Sequence, residues 1–310
     1  GIAAALVFGY LGALVFKPKL KEYMKKVHII SLGDTYMFRL AVALREKGYS
    51  VSCSGADIMG AEADILREKD ILLADLQPIN DPFKEKIDFV VSPLQSVSDH
   101  PELIRAKESG LLILSVPELV LRMAKDKIRL VFCNPRHPNR IMSMVLKALR
   151  KQNMRCDYVA LNEIPGQEKQ ISLSYDARIS LLEGDAFLEE KPLAHQQYKP
   201  HILIMSDLLW HPTKTHSTFE SYVDFWKGMV ASIERDGKFI YNQNIPLLQD
   251  LADTVREDIT AVPYLPHPIV RTDDNIELET RYGRVPVTLF DEEFLGDINA
   301  ARLACRHLGV

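Results

Sequence analysis

Apolar positions in this chain fall in short compact runs, separated by longer stretches in which they recur at helical spacing. "VHIISL", from Val27 to Leu32, is a compact apolar strand, and Gly33 makes the turn after it. "YMFRLAVALREKG" then carries apolar residues at helical spacing and closes on Gly48 in C-cap position. "YSVSCSG" is the next strand, and "IDFVVSP" and "LLILSV" are further buried strands, separated by the helix "DHPELIRAKESG". A second unit begins at about Ile128 with the strand "IRLVFC" and the helix "NRIMSMVLKALRKQ". "RISLLEGD" and "HILIMSD" add two strands, and the helix "FESYVDFWKGMVASI" leads to the strand "KFIYN". A last helix, "INAARLACRHLG", runs to the chain end. Strands alternating with helices predict parallel, doubly wound sheets. The expected organisation is an N-terminal segment 1–26, a first domain 27–127 and a second domain 128–310.

The segment 1–26 departs from this pattern. Ile2 to Phe16 is apolar throughout, and Lys17, Lys19, Lys21, Lys25 and Lys26 follow it. A membrane-spanning helix needs about 20 such residues, ~17 at the least. Three readings stand. The run is the end of a membrane anchor with cytoplasmic lysines, or a signal-peptide core without a small-residue cleavage site, or an artefact ahead of a true start at Met24. A membrane is a partner only if residues 1–26 are native.

Bulk composition changes the picture little. A chain of 310 residues with 47% apolar and 26% charged residues is an ordinary globular protein with room for two domains. Its net charge of -4 gives no basic excess for tracking phosphates, so nucleic acid is not an expected partner. Cys53, Cys133, Cys156 and Cys305 are scattered, which fits reduced thiols in the cytoplasm better than a disulfide framework or a zinc site.

Candidate chemistry lies at strand ends. In "LVFCNPRHPNRIMSMVLKAL" an apolar strand, an irregular turn and a helix follow one another as in a phosphate-binding loop. Such a loop needs glycines for tight curvature, a lysine against the terminal phosphates and a hydroxyl on Mg²⁺. Here Pro135 and Pro138 each remove a backbone N–H from the anion nest. Asn134, Arg136, His137, Asn139 and Arg140 remain as candidates for a remnant nucleotide loop, with the cations as loose point charges. Gly33 and Thr35 in the first turn, and Ser54 at the end of the next strand, are candidates for cofactor contact. Asp34 puts a carboxylate where a phosphate would come, so a purely structural turn is the competing reading. Glu183 and Asp185 end a buried strand, where two carboxylates suit Mg²⁺, or are simply solvated loop acids. His211 is a further candidate ligand. His211 and His216 are otherwise expected as partly exposed loop residues, and Trp210 and Phe219 as core.

Taken together, Lys26 to Val310 resembles the Mur ligases, in the branch of the UDP-N-acetylmuramate–alanine ligases and the muropeptide ligases. "KVHIISLGDTYMFRLAVALREKGYSVSCS" is similar to the family's opening uridine-nucleotide fold, which reads G-x-G-G-x-x-M before its helix. "SDHPELIRAKESGLLILSVPEL" resembles its D-N-P-E and Y-P-E segments, keeping Asp99, Pro101, Glu102, Pro117 and Glu118. "LLEGDAF" and "SDLLWHPTKTH" follow its E-G-D-E-Y and W-D-H segments. The resemblance implies an α/β fold: a Rossmann-like parallel-sheet N-terminal domain followed by a P-loop-type α/β central domain. It also implies ATP-dependent amide-bond formation through an acyl phosphate.

The residues that would carry that chemistry depart from the family. Its G-[ST]-H-G-K-T-T loop falls on Asn134 to Arg140, so Pro138 stands for the catalytic lysine and Asn139 for the Mg²⁺-binding hydroxyl. Glu183, Gly184 and Asp185 match, but Ala186 and Phe187 replace the next acid and aromatic. Trp210 matches, while His211 and Pro212 replace Asp and His. The nucleobase-contacting H-N-x-x-N segment falls on Glu293, Phe294 and Asp297, and Gln95 replaces the histidine ahead of D-N-P-E. Losing one electrostatic contact to a transferring phosphoryl group removes roughly 3 kcal/mol. The family's third, C-terminal domain, which supplies the amine pocket, has no counterpart in this chain. The resemblance therefore implies a catalytically impaired homologue in peptidoglycan precursor synthesis or recycling, acting as scaffold, regulator or binder of a UDP-sugar precursor or a cell-wall enzyme. The alternative is an active ligase of UDP-N-acetylmuramate with an amino acid or peptide. It would use ATP and Mg²⁺ and a third domain outside this chain.

Overall fold

The computed structural model describes residues 24–30, 32, 35–55, 60–73, 82–84, 86–93, 99–185, 198–272, 275–289 and 291–310. The apolar run Ile2–Phe16, Gly33, Asp34, Gln95, Ala186 and Phe187 lie outside them.

The first sheet has five parallel strands in the order β3-β2-β1-β4-β5. They are β1 (Lys26–Ile29), β2 (Ser50–Cys53), β3 (Leu72–Leu73), β4 (Phe89–Val91) and β5 (Ile113–Leu114). The helices α1 (Thr35–Glu46), α2 (Ala61–Glu68), α3 (Pro101–Glu108) and α4 (Val116–Ala124) connect them or follow the last. The helix starts are written in the sequence. His100 caps α3 by accepting from the Glu102 amide, and Ser115 with Glu118 forms a reciprocal capping box on α4. Short α2 and two-residue β3 were not resolved by pattern alone.

The second sheet has seven strands in the order β12-β11-β10-β6-β9-β7-β8. These are β6 (Ile128–Cys133), β7 (Cys156–Val159), β8 (Ile171–Ser172), β9 (Ile179–Glu183), β10 (Ile202–Met205), β11 (Lys238–Asn242) and β12 (Thr260–Tyr264). All pairings are parallel except β7 with β8. Along β6, β10 and β11 alternate residues enter opposite cores. Val131, Cys133, Leu203, Met205, Phe239 and Tyr241 meet α6 (Phe219–Ala231), while Leu130, Phe132, Ile202, Ile204 and Ile240 meet α5 (Arg140–Lys151) and α8 (Phe294–His307). Both faces are covered, so the strands read as unbroken apolar runs. Each large side chain buried this way contributes ~1.5–3 kcal/mol. The helix α7 (Pro246–Ala252) follows β11, and a three-stranded antiparallel meander of β13 (Ile269–Arg271), β14 (Ile276–Thr280) and β15 (Gly283–Pro286) precedes α8. The sequence pattern had placed no element between Asn242 and Ile298.

One apolar cluster runs from Val27 of the first sheet and Leu40 of α1 to Trp226 of α6 and Phe239 of the second sheet. Polar contacts join the two as well. Lys47 Nζ donates to the Ser174 carbonyl at 2.5 Å, and Lys127 Nζ reaches Asp157 at 2.5 Å and the same carbonyl at 2.8 Å.

Candidate functional site

Register brings the site together. Phe132 pairs with Glu183 and Cys133 with Met205, so the ends of β6, β9 and β10 lie side by side at one sheet edge. The strand order reverses across β6, which makes this edge the crevice where open α/β sheets hold ligands.

The loop between β6 and α5 is built from side-chain bonds. Asn134 is buried; its amide donates to Asp297 at 3.2 Å, and its carbonyl accepts from the His137 amide at 3.3 Å. Asn139, the residue before α5, has φ +61°, a left-handed conformation that asparagine tolerates better than most residues. Its side chain makes no helix cap; the amide donates instead to Glu183 at 2.9 Å and to the Asn162 and Glu163 carbonyls. The two guanidiniums are already engaged. Arg136 pairs with Asp207, while Arg140 grips Asp291 through two nitrogens and reaches Asp297 at 2.5 Å. Hydrogen bonds from Arg140 hold the Asp291 carboxyl below the usual carboxylate range, whereas burial pushes Asp297 above it against the pull of Arg140. His137 lies 3.7 Å from Asp291 and 3.9 Å from Glu293.

Glu183 is buried, and its carboxylate is fully used. One oxygen accepts from the Leu161 amide at 2.8 Å, the Asn162 amide at 3.0 Å and Asn139; the other accepts from the Asn162 side chain. Gly184 lets β9 approach β6, because a Cβ there would lie 2.8 Å from Val131 Cγ1 and 3.0 Å from the Phe132 carbonyl. Asp185 is pushed up to about 7, first by burial and then by the charge of Glu183. Of the two candidate Mg²⁺ ligands, only Asp185 has oxygens not already bonded to several N–H donors.

The other predicted residues lie apart from this edge or serve packing. Thr35 is exposed at the start of α1. The Ser54 hydroxyl donates to Glu102 at 2.7 Å, and Glu102 also takes His28 Nε2 at 3.1 Å, so these residues tie β1, β2 and α3 together. His211 is exposed. Two expectations are corrected here. His216 is buried, with its ring edge-on to Phe225 at 5.2 Å, because the aromatic face of α6 covers it. Trp210 and Phe219 are exposed rather than core, packing chiefly on each other at 5.9 Å between ring centroids.

A cavity of about 430 Å³ opens at the ends of β6, β10, β11 and β12, beside the first turn of α8. Asn134, Arg136, Asp207, Tyr264, Glu293 and Asp297 are among its walls. Comparison with known proteins decides what the frame around it is. No family model matches the chain. Over 226 residues it is 23% identical to the UDP-N-acetylmuramate–L-alanine ligase of Carboxydothermus hydrogenoformans, covering 72% of this chain and 46% of that protein. The enzyme of the same name from Dictyoglomus turgidum is 23% identical over 238 residues, 75% of this chain and 48% of the relative. In structure the chain resembles the UDP-N-acetylmuramate:L-alanyl-gamma-D-glutamyl-meso-diaminopimelate ligase of Neisseria meningitides, with a TM-score of 0.76 at 18% identity, covering 93% of this chain and 94% of that one. In sequence and in fold the chain is similar to the Mur ligases. It spans about half the length of the curated relatives just named.

The Mur ligase resemblance implies ATP and Mg²⁺ at this edge, and the residues present do not fit them. No lysine stands in the loop, Arg136 and Arg140 are neutralised by carboxylates, Glu183 is saturated by N–H donors, and acids line the adjoining cavity. Sequence reasoning missed Asp207, Asp291, Asn162 and Tyr264 as site residues. Only "DEEFLGD" carried a local signal, since acids are favoured in the first turn of a helix.

Proposed function

We propose that this chain is a Mur-ligase homologue of peptidoglycan precursor synthesis or recycling that has given up ligase turnover and acts by binding. The binding partner is a UDP-sugar precursor or another cell-wall enzyme. One observation carries this reading: the loop at the end of β6 spends its own polar groups internally. Asn139 is locked on Glu183, Arg136 on Asp207 and Arg140 on Asp291 and Asp297. A phosphoryl-transfer site needs donors and cations aimed outward at developing negative charge. Freeing Arg140 here would break a largely buried pair with Asp297 and leave that carboxylate unpaired, which is costly. The half-length match to the curated ligases leaves their substrates and products as proposals for this chain.

The test is a phosphate-release assay with the chain, ATP, Mg²⁺, UDP-N-acetylmuramate and L-alanine. No release above the protein-free rate is expected, in parallel with direct binding of UDP-N-acetylmuramate. Release that depends on the muramyl carboxylate overturns the reading and restores the active-ligase alternative.

A further inference from the structure

We infer that the cavity at the ends of β6, β10, β11 and β12 binds a small primary-ammonium compound. This rests on the proposed loss of ATP chemistry at the same edge. The cavity, about 430 Å³, has the size of a small-molecule pocket, for which ~300–1,000 Å³ is usual. Its walls carry four carboxylates, Asp207, Glu292, Glu293 and Asp297, against one guanidinium, Arg136. That guanidinium is spent on Asp207, and Asp297 is held by Arg140 at 2.5 Å from outside the cavity, which leaves Glu292 and Glu293 as the open charges. Among the described residues Glu292 has no ion-pair partner, and Glu293 has only the His137 ring at 3.9 Å. An anionic ligand would meet this field with repulsion, and an ammonium group with attraction.

A second observation points to a ligand independently of the acids. Tyr264 is 3% exposed and forms part of the cavity wall, and its hydroxyl has no hydrogen-bond partner. Buried hydroxyls in native proteins are nearly always bonded. The charges of Asp297 and Asp207 reach this hydroxyl and add to the burial that holds it protonated. Its oxygen is therefore a ready acceptor for a ligand N–H, next to carboxylates that hold the charge. Ile245 and Pro266 give the cavity apolar wall for a methylene chain. A bare divalent ion fits less well. The tightest donor cluster is His137, Asp291 and Glu293, and both oxygens of Asp291 are already held by Arg140.

The probe is 1,4-diaminobutane, titrated calorimetrically into the chain at low ionic strength, with 1,4-butanediol as a neutral control of similar shape. One-site binding of the diamine, silence of the diol and weakening by added salt are expected. Tyr264→Phe, which leaves net charge unchanged, should weaken binding about fivefold, and the double variant Glu292→Gln/Glu293→Gln about tenfold or more. Both should keep the native circular dichroism. The inference is overturned by no diamine binding, by equal binding in the Tyr264→Phe and carboxamide variants, or by competitive displacement with Mg²⁺. Failure of the diamine with no ATP binding leaves the proposed function standing, whereas ATP binding removes both.

Discussion

Asn139 concentrates the local logic of the loop in one side chain. It accepts a left-handed backbone, and its amide closes the gap between β6, the 162–163 turn and Glu183. Asn139→Ala puts a Cβ without hydrogen-bonding capacity at φ +61° and deprives Glu183 of a donor. Left-handed strain of ~1–2 kcal/mol plus about 1 kcal/mol for the lost bond predicts destabilisation of about 2–3 kcal/mol. Asn139→Gly removes the bonds but not the conformational ease, so its cost should be nearer 1 kcal/mol. Urea denaturation of both variants checks the difference. Asp185 makes a pH prediction with a definite sign. Its folded pKa of about 7 lies above the ordinary aspartate value of 3.8, so between these pH values the folded chain holds a proton that the unfolded chain releases. Stability from this group therefore falls as pH rises from about 4 to 7. Asp185→Asn should flatten that slope and raise the denaturation midpoint at pH 7 relative to the native chain, measured at several pH values.

At the scale of elements, legibility followed burial. β1, β4, β6, β9 and β10 could be read because helices cover both of their faces, leaving runs such as Leu130–Cys133 and Ile202–Met205 without polar interruption. β7 could not: Asp157 sits inside it, tolerated only because Lys127 and Ser174 satisfy its carboxylate from elsewhere in the chain. β12 contains Pro263, β14 is half-buried and carries Glu277 and Glu279, and β15 is exposed, so no periodicity marked them. The Lys127–Asp157 pair joins the start of β6 to β7 and is nearly inaccessible. Lys127→Met should cost about 3–5 kcal/mol by stranding a buried carboxylate. Adding Asp157→Asn should restore most of it. A double-mutant cycle on folding free energy measures this coupling, and additive effects would show that the pair is not coupled.

Across the whole molecule, frame and chemistry have separate origins in the sequence. The frame rests on apolar spacing, caps and the close approach at Gly184, all of which are local, and it could be read before any coordinates. In the loop, the missing lysine and the two prolines were equally local. What closes the loop was not. Asp207, Asp291 and Asp297 reach it from 71 to 157 residues away, and spacing along a chain says nothing about which distant acid meets which arginine. The first sheet also shows the limit of reading a site from strand ends. Ser54 ends on Glu102 in a contact that packs α3 against β2, a structural use that its place at a strand end did not distinguish from ligand binding.

Calorimetric titration of the chain with ATP in excess Mg²⁺ probes the closed loop most directly. The internal pairing of Arg136, Arg140, Asn139 and Glu183 predicts no saturable heat up to millimolar nucleotide. Saturable binding with a micromolar Kd would contradict it, because those groups would then have to leave their carboxylates for a phosphate.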